Sequence, residues 1–140
     1  MRLWHQSLIP YLDRQHLLGQ HRECCALRGK GWGRKHATVD YVFKYWLTDL
    51  YKYHFFVMKE MKRRGYNVAE DWWNAGYRGS VLGYADGFNN EDCYGYALDA
   101  YEAGDIIYPE HDRAYLIECI NLLKQKNAPM DFEKIEKELL

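Results

Sequence analysis

Between Thr38 and Gly65 the apolar residues recur at helical spacing, and this pattern constrains the fold more than any other in the chain. Val39, Val42, Phe43, Trp46, Leu50, Tyr53, Val57 and Met61 fall on one stripe, as expected for a long helix with one face against a core. Thr38 has the side chain to cap its start, and Gly65 follows its expected end near Arg64. A second helix is predicted from an Asp13 N-cap to about Leu27, with Leu17, Cys24 and Leu27 on its apolar side. His16, Gln20 and Glu23 sit at i, i+4 and i+7 on it, so three polar groups share one stripe.

The remaining segments complete an all-α expectation. Residues 1–9 read as extended or irregular, with Pro10 barring a helix through that point. Residues 28–36 (RGKGWGRKH) form a basic, glycine-rich loop. Residues 66–108 are dense in Tyr, Trp, Gly, Asn and Asp, which predicts loops and turns packed by aromatics, with a short helix near 94–102. Residues 111–126 read as a helix carrying Ala114, Ile117, Ile120 and Leu123 or Lys124 on its face. Asp131 is placed to cap a final short helix, FEKIEKELL. The expected architecture is mainly all-α, one compact helical domain over residues 1–140 with a long aromatic-rich irregular segment.

Composition narrows the class. The 140 residues are 48% hydrophobic and 28% charged, the balance of a globular domain. The early charges Arg2, Asp13, Arg14, Arg22 and Glu23 leave no room for a secretory signal, and no later stretch approaches a membrane span. Cys24, Cys25, Cys93 and Cys119 contain no CxxC and read as reduced thiols, which points to the cytoplasm. The net charge of −1 hides an asymmetry: residues 1–70 hold 13 Lys and Arg against 6 Asp and Glu, and residues 71–140 hold 6 against 14. Such a split suits a basic face toward a polyanion, two halves that attract each other, or a self-associating surface.

The opening MRLW, Tyr11-Leu12-Asp13, Gln15-His16-Leu17 and His21-Arg22-Glu23, with the basic Arg34-Lys35-His36, resemble the pyrimidine-dimer DNA glycosylase family of phage endonuclease V type and its bacterial relatives. Lys62-Arg63-Arg64-Gly65-Tyr66-Asn67 resembles that family's ending of its long helix, and Tyr108-Pro109-Glu110-His111 is a further echo. The clear match covers about the first third of the chain.

The resemblance implies a DNA repair glycosylase with abasic-site lyase activity and no cofactor or metal. In that chemistry an N-terminal α-amine attacks the sugar C1′, which suits an amine whose pKa of about 7.7–8.0 leaves much of it neutral near pH 7. Bulky Arg2 implies that Met1 is retained and offers the amine itself. Glu23 matches the catalytic carboxylate. Arg2, Arg22, Gln15 and His16 match residues that hold phosphate or edge the pocket, and Arg34 and Lys35 are the loop's candidates for DNA contact. Damaged duplex DNA is the implied partner; the oligomeric state and the lesion stay open. Ala26 stands where the family has a basic residue, and the sequence pI of about 6.6 is low for a DNA binder.

Other chemistries have weaker support. The glycine loop lacks GxxxxGK(S/T) spacing. His21 and Cys25 are spaced i, i+4 as metal ligands can be, with His16, His36 and His54 elsewhere, but no CxxC or HExxH accompanies them. The competing functional class is a non-catalytic nucleic-acid-binding or self-associating module on the same fold.

Overall fold

The computed structural model describes residues 2–140. Its regular elements are helices: α1 (Arg14–Arg28), α2 (Leu47–Arg63), α3 (Asn90–Ala103), α4 (Arg113–Gln125) and α5 (Phe132–Leu139), with 3-10 helices at Gln6–Tyr11, Asp40–Lys44 and Glu70–Trp73. Among the described residues the only extended pairing is an isolated bridge between Tyr77 and Tyr84. The fold is all-α. No helix is long and apolar enough to cross a membrane among the described residues.

Local chemistry sets the helix ends. The Asp13 side chain accepts from the His16 amide and starts α1. Asn89, Asp112 and Asp131 do the same for α3, α4 and α5. Helix α2 ends in a Schellman arrangement: Gly65 donates to the Lys62 carbonyl, Tyr66 donates to the Met61 carbonyl, and Gly65 takes a φ of +83°.

Four expectations are corrected. Helix α2 begins at Leu47, not after Thr38. Asp49 accepts from the Trp46 amide at 3.3 Å and caps a later start. Tyr45 and Trp46 are extended, and the 3-10 turn before them is held by tertiary bonds. In those bonds Tyr41 meets His111 Nε2 at 2.6 Å and Tyr45 donates to Glu110 at 2.9 Å. Trp46 therefore leaves the expected stripe and is 80% exposed.

Pro10 lies inside the first 3-10 helix. Leu8 donates to His5 and Leu12 to Leu8 and Ile9, so this short turn closes without a proline donor. Helix α3 begins at Asn90, earlier than the expected 94, because Asn89 supplies its cap. On α4 the buried face is Leu116, Cys119, Ile120 and Leu123, while Ala114 and Ile117 are exposed.

Helix α2 packs against α1 and against α3. A large core gathers Leu3, Leu8, Leu17, Leu27, Leu50, Val57, Leu116 and Leu123. A smaller one joins Tyr51 and Phe55 to Ala75 and Ala97. The aromatic segment is anchored between them by Arg28, which is 1% exposed. Its guanidinium donates to the carbonyls of Trp72 at 2.9 Å, Asn74 at 2.7 Å and Tyr77 at 3.3 Å, and to His54 Nδ1 at 2.9 Å. It also lies over the rings of Tyr51 and Trp72. Arg78 returns the tie by donating to the carbonyls of Arg28 and Gly29. All four cysteines are free, with Cys24 and Cys119 buried.

Removing the Arg28 donors strands several buried carbonyls at once. Arg28→Ala is expected to cost roughly 3 kcal/mol or more. Arg28→Lys is expected to recover only a minor part, because an ammonium cannot reproduce the planar fork. Urea unfolding followed by tryptophan fluorescence measures both.

Candidate active site

The polar stripe of α1 forms one wall of a cleft of about 470 Å³. Gln15, His16, Gly19, Gln20, Arg22 and Glu23 line it from α1, Arg2 and Trp4 from the amino-terminal segment, and Thr38 from beyond the basic loop. The fourth wall comes from far along the chain, where Leu122 and Lys126 at the carboxyl end of α4 close the cleft.

The amino-terminal segment is held by a side-chain amide that reads its backbone. Gln20 Oε1 accepts from the Trp4 amide at 2.6 Å, and Gln20 Nε2 donates to the Arg2 carbonyl at 3.0 Å. The Tyr53 hydroxyl lies 2.6 Å from the Trp4 carbonyl and 2.8 Å from Gln20 Oε1. Tyr115 donates to the Leu3 carbonyl from α4. The backbone of residues 2–4 is thus fixed from three helices, and Gln20 sits one turn before Glu23 on the same face.

Glu23 carries the least satisfied group of the cleft. Its Oε1 is buried and has no hydrogen-bond partner among the described residues. Burial pushes its carboxyl above the ordinary glutamate range. A carboxylate oxygen with no partner among the described residues, on a side chain lining a cleft, is chemically able to take up a proton or to oppose a positive charge. His16, two turns earlier on α1, lines the same cleft: its Nδ1 lies 2.7 Å from Asp13 Oδ1, and its ring meets Trp4 edge-on. The Arg2 guanidinium donates to Glu118 Oε2 at 3.0 Å and lies near the rings of Trp4 and Tyr115.

The structure therefore brings together five of the residues singled out in the sequence: Arg2, Gln15, His16, Arg22 and Glu23. Met1 lies outside the described residues. Arg34 and Lys35 stand apart from the cleft and line a neighbouring recess of about 420 Å³ with Ala26, Leu27, Lys30 and Gly31. Sequence reasoning placed Gln20 on the stripe but missed its clamp, a role that needs the position of the backbone it bonds. No local signal marks Leu122 or Lys126; the fold alone delivers them.

A second cluster lies behind α1. His21 Nδ1 is 2.8 Å from His54 Nε2, and Cys25 Sγ is 3.7 Å from His21 Nε2. Their candidate ligand atoms all fall within 4.8 Å of one another, so the fold supplies the third group that the sequence spacing lacked. Arg28 donates to His54 Nδ1, which leaves the His54 proton on Nε2, directed at His21 Nδ1. Burial holds both histidines below their ordinary pKa and pushes the Cys25 thiol up to about 12. In this arrangement the group is a hydrogen-bonded chain running from Arg28 toward Cys25.

A family model described as pyrimidine dimer DNA glycosylase matches residues 1–74. The chain belongs to this family. Comparison with curated proteins and with solved structures gives no match. The pyrimidine dimer DNA glycosylase match spans α1, the basic loop, α2 and every cleft residue except Leu122 and Lys126. It identifies the protein as a glycosylase family member with DNA as its substrate.

Two outcomes follow from the geometry. Gln20→Ala frees the Arg2–Trp4 backbone and is expected to cost roughly 1–3 kcal/mol, read by urea unfolding and by faster exchange of the Trp4 amide. Glu23→Gln is expected to raise Tm at pH 7 by about 2 °C. The folded chain binds the Glu23 proton more tightly than the unfolded chain does, so stability falls as pH rises through that window, and glutamine removes the cost. The gain should vanish near pH 4.

Proposed function

We propose that the protein excises a damaged base and then nicks the strand, with the α-amine of Met1 as nucleophile and Glu23 as its proton-handling partner. The observation that carries this reading is the buried Oε1 of Glu23, without a hydrogen-bond partner among the described residues, on a side chain lining the cleft to which the Arg2–Trp4 backbone is tied. The amine is one residue from Arg2, whose carbonyl accepts from Gln20, one helical turn before Glu23 on α1.

The neutral amine bonds to C1′, and the base departs with the electrons of the glycosidic bond and takes up a proton. Glu23, its carboxyl raised by burial, is the donor within the cleft. The attached nitrogen gives one of its protons to O4′ as the C1′–O4′ bond breaks, leaving a protonated imine between that nitrogen and C1′. The imine draws electrons from the C2′–H bond as Glu23 accepts that proton, and the 3′ phosphate leaves by β-elimination. The imine supplies the electron sink, so this sequence calls on no metal or cofactor. Arg2 and Arg22 face the phosphates of the reacting strand, and Gln15 and His16 edge the extruded nucleotide. Arg34 and Lys35 hold the flanking backbone. The substrate is a pyrimidine dimer, the lesion of the family's name, with residues 66–108 the surface on which lesion choice can differ.

Borohydride reduces an imine to a stable amine. Untagged protein incubated with abasic-site DNA and borohydride is expected to give a covalent adduct whose peptide map places it on Met1. Glu23→Gln is expected to slow trapping by roughly 100-fold while retaining DNA binding. A protein with a free N-terminus that binds abasic DNA and yields no adduct leaves a non-catalytic nucleic-acid-binding module instead.

A further inference from the structure

Helix α4 lays Glu118, Leu122 and Lys126 at i, i+4 and i+8, so one face presents an anion, an apolar side chain and a cation in line. Leu122 and Lys126 line the cleft, and Glu118 reaches it through Arg2. Cleft cations have an obvious use toward DNA phosphate. Glu118 is the exception, a carboxylate spent on one of those cations.

We propose that Glu118 is an internal competitor for the DNA phosphate, holding Arg2 until substrate displaces it. This rests on the DNA-binding part of the reading above. The Glu118 carboxylate takes the Arg2 Nη1 donor at 3.0 Å, and the two side chains are 57% and 20% exposed, so the pair sits at the rim rather than in the core. A carboxylate and a phosphate compete for the same guanidinium donors. A phosphate arriving at Arg2 therefore meets a guanidinium already engaged and a like charge beside it. The guanidinium lies 6.0 Å from the Trp4 ring and 5.7 Å from the Tyr115 ring, contacts that do not depend on which anion Arg2 holds.

Such a competitor weakens the grip on any duplex. It restricts retention to complexes whose remaining contacts, made by a correctly seated nucleotide, outweigh the lost ion pair. The penalty falls equally on damaged and undamaged DNA, so it lowers the occupancy of both and leaves the ratio of their affinities unchanged.

The test uses the full chain and a duplex carrying a tetrahydrofuran abasic analogue, which cannot form an imine, beside an undamaged duplex. Binding is followed by fluorescence anisotropy. Glu118→Gln is expected to tighten both complexes about fivefold at low salt, with the gain shrinking as salt rises. Glu133→Gln removes the same charge from α5, where Glu133 is exposed and does not line the cleft, and is expected to change little. In an Arg2→Gln background the Glu118→Gln gain should disappear. Unchanged or weaker binding by Glu118→Gln overturns the proposal, as does an equal gain from Glu133→Gln. Because the analogue bypasses chemistry, absence of borohydride trapping with tightening intact removes the imine mechanism and leaves the competitor. Trapping without tightening does the reverse.

Discussion

The carboxamide of Gln20 is the interaction on which the rest of the site depends. A helix can place its own side chains with precision, but the first residues of a chain have no element to hold them and ordinarily fray. Gln20 solves this by offering one acceptor and one donor to the backbone of Trp4 and Arg2. Because the bonds go to main-chain groups, they fix the path of the segment. Because Gln20 is 2% exposed, water offers no substitute partners. The spacing from Gln20 to Glu23 then relates the Arg2–Trp4 backbone to a carboxylate one helical turn further along α1. Tyr53 and Tyr115 reinforce it from α2 and α4, so the site draws on both ends of the sequence.

Much of α1 was legible beforehand because its signals are local. Asp13 caps it, its apolar residues repeat, and its polar stripe maps directly onto one wall of the cleft. The start of α2 was not legible. Thr38 is a good cap residue and the apolar repeat continues through Val42, so nothing in a short window separates residues 38–46 from a helix. What decides the matter is nonlocal: Tyr41 and Tyr45 bond to His111 and Glu110, which lie some 65–70 residues away. The same holds for Lys126 and for the approach of His54 to His21. Single-residue signals divide: Gly65 marks the end of its helix in the sequence itself, whereas Asp49 and Asn89 cap helices at starts the apolar pattern does not mark.

The charge division between the halves also takes physical form. The cationic half contributes the amino-terminal segment and α1, and these line most of the cleft. The acidic half contributes one helix to it, with Lys126 and Glu118 acting in opposite senses on whatever anion enters. Near neutrality the protein has little net field to draw DNA from a distance, so recognition falls to contacts made at close range.

Arg28 has a consequence for how this surface can vary. Its donors to the aromatic segment go to the carbonyls of Trp72, Asn74 and Tyr77, groups that every amino acid possesses. The path of the segment is thereby made independent of most of its side chains. Within 72–84 the side chains that do add support are identifiable, among them Trp72 against Arg28, buried Ala75, and Arg78 on the carbonyls of Arg28 and Gly29. The support is written in the main chain, so a side chain that makes none of these contacts can change while the segment keeps its course.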